Sequence, residues 1–200
     1  MSIRRKSFLG LGGVLLASSL AAAQTFTSDG SAVRLTLGNG VSAVVPFPQG
    51  RVWSDSVLAW TLDSVKFSPA STFAVVLFHW PASKYSEQTA YLVKPNGAVL
   101  SLKDSEVWKI LWTRDGKYVL GFGSNTLRLW NLKGGLRQLS FSEISDFSFS
   151  DRSICLDVNV QQNKNGEYVD AEYIQFYSLP MLKKIRSVPA LEVTYCEHQS

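Results

Sequence analysis

The chain has 200 residues, of which 46% are hydrophobic and 12% aromatic, and a formal charge of +4 at pH 7. This composition supports a substantial buried core, excludes a disordered polymer, and at this length favours one domain. The 20 basic residues barely outnumber the 16 acidic ones, which is not the strongly basic balance expected of a nucleic-acid-binding protein.

Residues 1–23 have the pattern of a secretory signal peptide. Three basic residues near the start precede an uncharged stretch at 8–23, which falls short of the about 20 mainly apolar residues of a membrane-spanning helix. Small residues at Ala21 and Ala23 predict cleavage before Gln24. We therefore predict a protein exported to the periplasm, cell envelope or extracellular space, with no membrane span after signal removal. An uncleaved anchor helix is the alternative, and both the Sec and the twin-arginine route stay open.

Removal of the signal leaves 17 basic and 16 acidic residues, a net charge of +1. A nucleic-acid-binding surface needs a basic face that neutralises phosphates, and no long Lys/Arg run supplies one. The densest basic segment, residues 183–186, is typical of an exposed strand edge, where charges discourage aggregation between sheets. The sequence therefore predicts no nucleic-acid partner.

Short β-branched and aromatic runs separated by turn residues recur along the rest of the chain. Asn-Gly, Asp-Gly and Gly-Gly pairs between them readily adopt the positive φ angles of tight hairpin turns, and no run of helical periodicity follows the signal. We therefore predict an all-β meander of hairpins. The predicted strands are 33–37, 41–47, 64–68, 73–80, 89–93, 107–112, 118–122, 126–132, 147–150, 154–160, 173–178 and 192–196.

Three segments of the chain align as a repeat: residues 63–69, 109–115 and 145–151. Each places an aromatic residue two positions after an apolar one, followed by Ser or Thr and a Pro or charged turn residue. The aligned aromatic residues, 45 and then 37 positions apart, are Phe67, Trp112 and Phe149. This spacing is close to the ~40–45 residues of a four-stranded propeller blade.

The clearest unit, residues 107–132, resembles a WD40 repeat. Residues 110–112 look like its first strand, Asp115-Gly116 like the following turn, and Trp130-Asn131 stands where the family has Trp-Asp. The family's Gly-His pair is absent, so its buried His-to-Asp hydrogen-bond network cannot form. The resemblance implies a β-propeller repeat protein that acts in binding or scaffolding.

The length that remains after signal removal accommodates a propeller-like array of about four β-meander blades, close to the lower limit of the ~4–8 blades of propellers. The array would form a single domain at 24–200. A β-sandwich and a fragment of a larger propeller are the alternatives. Candidate units are 25–62, 63–106, 107–143 and 144–190, followed by a C-terminal strand at 191–196.

The chain has two cysteines, Cys155 and Cys196, both in apolar, strand-like surroundings. In an exported protein, a disulfide between them would tie the last segment to an earlier strand and restrict the unfolded ensemble. Two buried free thiols are the alternative, because cysteine packs well as a small apolar side chain.

Candidate catalytic groups are few. His79 and His198 are the two histidines, and neither has a second ligand at i+2 or i+4, so we predict no metal site and no cofactor. The G-x-S-x-G motif of many serine hydrolases is absent, which leaves His79 as the one credible general base. No catalytic residue is predicted, and a secreted hydrolase or metal-dependent enzyme that uses His79 is kept as the alternative function.

Six tryptophans could serve recognition, because flat apolar rings bind sugars and proline-rich segments. Trp112 and Trp130 belong between blades if the repeat is real. Trp53, Trp80 and His79 remain as recognition candidates, and Trp53 is the best of them because prolines and a glycine surround it. The sequence thus predicts an exported, non-catalytic β-repeat protein that binds a protein or a cell-envelope polymer.

Overall fold

The computed structural model describes residues 23–49, 51–53, 56–80, 88–150, 152–190 and 196, and of 51–53 and 56–58 it describes the backbone alone. His198 and all but the last residue of the predicted signal peptide lie outside the described residues. In the part of the chain that is described, no helix has the length and apolar character needed to cross a membrane.

The described residues form antiparallel β-strands joined by short connections. Their bounds are β1 Thr25–Ser28, β2 Ala32–Thr36, β3 Ser42–Pro46, β4 Arg51–Trp53, β5 Ser56–Leu58, β6 Thr61–Phe67, β7 Ala74–His79, β8 Gln88–Val93, β9 Val99–Leu102, β10 Lys109–Trp112, β11 Tyr118–Phe122, β12 Thr126–Asn131, β13 Leu136–Ser140, β14 Glu143–Phe149, β15 Ser153–Lys164, β16 Glu167–Ser178 and β17 Lys183–Pro189.

Strands that follow one another in sequence are also neighbours in space. β1–β3 form a three-stranded first sheet, and β6–β9, β10–β13 and β14–β17 form the four-stranded second, third and fourth sheets. The hairpin β4–β5 lies in the connection between the first and second sheets. Each sheet is thus a meander, as the recurring turn pairs predict.

The sheets stack on one another because the central strands are apolar on both faces. In β7, Ala74, Val76 and Phe78 join the core that the second sheet shares with the first. The alternate residues Val75 and Leu77 join the core shared with the third sheet. Successive side chains of a strand point to opposite faces, so a continuous apolar run predicts a sheet that is covered on both sides.

The third sheet repeats this two-sided arrangement. Trp130 is fully buried against the second sheet, whereas Leu127 and Leu129 pack with Ile154 and Leu156 of the fourth sheet. One core therefore follows another along the array. This is the layering of propeller blades, not the single core between two sheets of a β-sandwich.

The predicted all-β, propeller-like array is confirmed, and the β-sandwich alternative is not the fold observed. Phe67 and Trp112 end β6 and β10, and Phe149 ends β14, so the three aligned aromatic residues each close the first strand of a four-stranded sheet. The WD40-like segment forms β10–β13, and Trp130 lies on the third of these strands. The structure adds six strands that are missing from the predicted list, β1, β4, β5, β9, β13 and β17.

A disulfide joins Cys155 to Cys196, with a sequence separation of 41. Cys196 lies on the face of the fourth sheet that points away from the third sheet, where it is buried with Ile174 and Phe176. The Ser148 hydroxyl donates a 2.7 Å hydrogen bond to the Cys196 carbonyl. The predicted bridge therefore covers part of an apolar face at the end of the array.

The connections between strands lie at two opposite edges of the array, because antiparallel strands alternate in direction. The turn edge holds the connections β2–β3, β6–β7, β8–β9, β10–β11 and β12–β13. Here the Asn39 amide donates a 2.9 Å hydrogen bond to the Pro95 carbonyl of the second sheet. The cleft edge holds the connections β9–β10, β11–β12 and β13–β14, and it carries the candidate site.

Candidate functional site

Two adjoining clefts lie at the cleft edge and share Asn125 and Ser142 in their linings. The smaller cleft has a volume of about 420 Å³ and the larger one about 700 Å³, both within the usual range of ligand sites. The smaller cleft is lined by Gln88, Glu106, Trp108, Gly123, Ser124, Asn125, Thr126, Arg128 and Ser142.

Arg128 is the buried charged side chain of the smaller cleft. It lies on β12 between two leucines of the core and is 8% exposed. Its Nη1 donates to the Glu106 carbonyl at 2.6 Å and to the Thr126 hydroxyl at 2.9 Å. Its Nε is buried and has no hydrogen-bond partner, and a buried donor without a partner typically costs about 1–3 kcal/mol.

The electrostatic surroundings of Arg128 contain charges of the opposite sign. Burial lowers the pKa of its guanidinium, while the nearby carboxylates of Glu106 and Asp104 act to raise it. Glu106 lines the same cleft. Among the described lining residues, charges of both signs therefore border this cleft.

Trp108 forms the aromatic wall of the smaller cleft and is 45% exposed. Its ring lies 6.5 Å from that of Phe122 and 6.1 Å from that of Phe147, and those two rings stack on each other at 3.5 Å. The Trp108 N–H of the backbone donates to the Phe122 carbonyl at 2.8 Å. The indole is thus held in place from one side while part of its surface stays open to solvent.

Glycine is required at position 123 because two connections between strands approach each other closely beneath the cleft. A Cβ at this position would lie 2.7 Å from the Thr126 hydroxyl and 3.0 Å from the Glu106 carbonyl. These two oxygens are the acceptors for Arg128. Glycine therefore lets the β9–β10 and β11–β12 connections meet around the guanidinium.

The larger cleft lies between the third and fourth sheets. The buried Tyr177 hydroxyl donates to the Gln175 side chain at 2.5 Å, and the Phe141 ring meets the Tyr177 ring edge-on at 6.1 Å. Burial raises the pKa of Tyr177 to about 12, so its hydroxyl stays protonated. Among the described residues of this lining, Lys184 is the one with a formal charge.

A two-stranded ribbon borders the larger cleft through Val160 and Gln161. The pairing of β14 with β15 ends at Asn159, and that of β17 with β16 ends at Tyr173, so beyond these residues β15 and β16 pair with each other alone. Tyr168 on this ribbon is 72% exposed. The ribbon extends past the fourth sheet and exposes an aromatic side chain.

The residues predicted for recognition lie in the second sheet and in the hairpin before it. Trp80 is 5% exposed and packs on the Trp60 ring at 5.5 Å, so most of its indole is core surface. The His79 Nδ1 lies 2.9 Å from the Thr61 hydroxyl. Trp53 ends β4, and its side chain lies outside what the structure describes. Neither His79 nor Trp80 lines the two clefts described above.

Trp112 and Trp130 lie between blades, as predicted from the repeat. The Trp112 indole N–H donates to the Lys66 carbonyl of the second sheet at 2.8 Å, and the Trp130 indole N–H donates to the Lys103 carbonyl at 2.9 Å. These indoles join neighbouring sheets both by packing and by hydrogen bonds.

Arg128 and Trp108 are not among the site residues predicted from the sequence. The signal that could have found Arg128 is a charged residue between Leu127 and Leu129, because a buried arginine is rare unless its donors are satisfied. Among the described residues, no group of three or more His, Cys, Asp or Glu side chains is placed to hold a metal ion.

No family model matches the chain, and no curated protein matches it. Among solved structures, it is similar to a eukaryotic initiation factor, with a TM-score of 0.48 and 14% identity over 84% of this chain and 43% of that chain. It is similar to the tricorn protease, with a TM-score of 0.42 and 14% identity over 80% of this chain and 16% of that chain. It is also similar to the Neurospora crassa Pan2 WD40 domain, with a TM-score of 0.41 and 15% identity over 82% of this chain and 48% of that chain. The chain spans less than half the length of each of these structures.

Proposed function

We propose that this protein is an exported, non-catalytic binding module that takes a protein or a cell-envelope polymer at its cleft edge. The observation that carries the proposal is the pair of adjoining clefts, which share Asn125 and Ser142 and draw their linings from the second, third and fourth sheets. Several packed sheets contribute residues to this site. The rigid fold therefore holds the binding surface in place.

The chemistry of the linings supports binding. Amide, hydroxyl and charged groups alternate with the rings of Trp108, Phe141 and Tyr177, and a few polar groups among apolar surfaces are typical of ligand sites. The hydrolase alternative depends on His79, which contacts Thr61 and lies away from both linings. We therefore do not propose it.

Export is part of the proposal because two observations agree with it. Residues 1–23 have the layout of a signal peptide, and the disulfide Cys155–Cys196 suits an oxidising compartment. A fusion of residues 1–23 to a reporter that is active only after export tests this part. Reporter activity is expected, and retention of the reporter in the cytoplasm would remove export from the proposal.

The binding proposal is tested by affinity capture from a cell-envelope extract with residues 24–200 as bait. Because Asn125 and Ser142 line both clefts, the double variant Asn125→Arg/Ser142→Arg fills both with large charged side chains. The matched control is Ala98→Arg/Ser101→Arg, which adds the same charge at exposed positions of the second sheet.

We expect a reproducible partner that the unmodified bait and the control retain and the cleft variant loses. A partner that the cleft variant captures as well as the unmodified bait does would contradict the proposed site. Circular dichroism and thermal unfolding of all three baits establish that each is folded.

A further inference from the structure

The smaller cleft carries a further inference, which rests on the proposed binding function and narrows the chemistry of its ligand. Arg128 is more than nine-tenths buried, lines this cleft, and has a buried Nε without a hydrogen-bond partner. Protein groups already occupy its Nη1. The Nε is closed to the cleft, so a ligand oxygen would meet the guanidinium at the part of it that lines the cleft.

Both signs of charge are present in the described lining of the cleft, which argues against a charged ligand. An acidic ligand would meet the carboxylate of Glu106, and a basic ligand would meet the guanidinium of Arg128. A ligand whose groups both donate and accept hydrogen bonds without net charge would suit both residues. Hydroxyl groups have this property, and amide and hydroxyl side chains border the same space.

Trp108 indicates the shape of the ligand. The residue lines the cleft, is 45% exposed, and is held by the rings of Phe122 and Phe147. A fixed, open aromatic face favours a ligand with a flat apolar face of its own. A pyranose ring combines such a face of C–H groups with a rim of hydroxyls.

We propose that the smaller cleft binds an uncharged pyranose unit of a glycan chain, stacked on Trp108 and hydrogen-bonded to Arg128 and Glu106. The part of the Arg128 guanidinium that lines the cleft donates to a sugar oxygen, and the Glu106 carboxylate accepts from a sugar hydroxyl. The proposed function allows either a protein or a cell-envelope polymer as the partner. A cleft that binds pyranose favours the polymer, in the form of a surface polysaccharide.

The test is isothermal titration calorimetry of residues 24–200, with the disulfide intact, against uncharged hexasaccharides. The probes are β-1,4-linked glucose, α-1,4-linked glucose and β-1,4-linked N-acetylglucosamine, and the galacturonate hexamer is the acidic comparison. We expect saturable binding of at least one uncharged probe and weaker binding of the acidic one.

Two variants locate the binding. Trp108→Ala is expected to weaken it at least about tenfold, as is common for a central tryptophan, and Trp108→Phe is expected to restore part of the affinity. The matched control Tyr168→Ala removes an aromatic ring that is 72% exposed and lines neither cleft. It should bind as the unmodified chain does.

Each other outcome overturns the inference. No saturable binding of any uncharged probe, an affinity unchanged by Trp108→Ala in a folded variant, or a preference for the galacturonate hexamer would each remove the pyranose assignment. If capture still depends on Asn125 and Ser142 in those cases, the binding module stands and its ligand is of another class. If capture is independent of these residues too, the proposed function fails with it.

Discussion

The two edges of the array differ in how fully their polar side chains are hydrogen-bonded. At the turn edge, side chains satisfy the backbone of tight turns: the Asp115 carboxylate accepts from the Thr113 hydroxyl at 2.8 Å and the Lys117 N–H at 3.1 Å. The Asn131 side chain likewise accepts from the backbone N–H groups of Lys133 and Gly135. Polar groups at this edge bond within their own turn or to a neighbouring sheet, and they stabilise the turns.

At the cleft edge, polar and aromatic groups are left partly unused. Arg128 is buried with a donor that has no partner, and Trp108 exposes nearly half of its surface. Places where a sequence departs from locally favourable choices are commonly functional sites. The turn edge therefore contributes stability, whereas under the proposed function the cleft edge gives up stability for binding. Substitutions should therefore have different effects at the two edges.

The largest expected effect is loss of the disulfide near the turn-edge end of β15. The bridge closes a loop of 41 residues, and such a link typically stabilises a protein by about 2–4 kcal/mol, mainly by restricting the unfolded chain. Cys155→Ser/Cys196→Ser should lower the free energy of unfolding by this amount in urea titrations. Ligand binding at low temperature should persist. A double variant as stable as the unmodified chain under oxidising conditions would show that the bridge does not form in solution.

A smaller effect is expected at the turn edge from Asp115→Ala. Loss of the two hydrogen bonds to its carboxylate should lower the free energy of unfolding by about 1 kcal/mol at pH 7 without changing binding at the clefts. The control Asp63→Ala removes an exposed carboxylate of β6 that lies outside the turns. An equal loss in both variants would show that the turn contacts contribute nothing specific.

The same variant has a defined pH dependence. Partial burial acts to raise the pKa of Asp115, but hydrogen bonds from Lys117 and Thr113 outweigh this effect and lower the pKa below its usual value. The folded state therefore favours the carboxylate, and its contribution to stability is complete above the unfolded pKa of about 3.9. The stability difference between Asp115→Ala and the unmodified chain should shrink as pH falls below about 4. A difference that stays constant down to pH 2 would contradict this pKa shift.

The smallest effect on stability is expected at the cleft edge from Arg128→Met. Methionine keeps the apolar volume and removes a buried charge, so the free energy of unfolding should stay unchanged or rise by up to about 1 kcal/mol, while ligand binding is lost. The comparison variant is Arg137→Met, whose guanidinium donates to the Pro180 carbonyl at 3.0 Å across the turn edge. It should lose a little stability and keep binding. Strong destabilisation by Arg128→Met would instead make Arg128 a structural residue.

The fold could be predicted from sequence because its determinants are local. The turn pairs and the aligned Phe67, Trp112 and Phe149 depend on short-range spacing, and all three aromatic residues end the strands that the alignment predicts. Alternation also predicts that His79 and Trp80 face opposite sides, and Trp80 is indeed in the core while His79 is half-buried.

The site could not be predicted in the same way because it depends on contacts between distant residues. Arg128 reaches the carbonyl of Glu106, 22 positions earlier in the chain, only after the second and third sheets have stacked. Nothing in the sequence distinguishes Trp108 from the other tryptophans. Its exposure depends on how it packs against Phe122 and against Phe147 of the fourth sheet. Sequence periodicity predicts which face of a sheet a side chain points to. It does not predict which residues of a neighbouring sheet pack against that side chain.

The most direct test of the division between the two edges is hydrogen–deuterium exchange of residues 24–200, with and without the captured partner or a hexasaccharide that binds. We predict slower exchange on binding at 103–108, 123–126 and 141–142, and no change in the turns at 113–117 and 132–135. Protection confined to those turns, or spread equally over both edges, would contradict a binding site at the cleft edge.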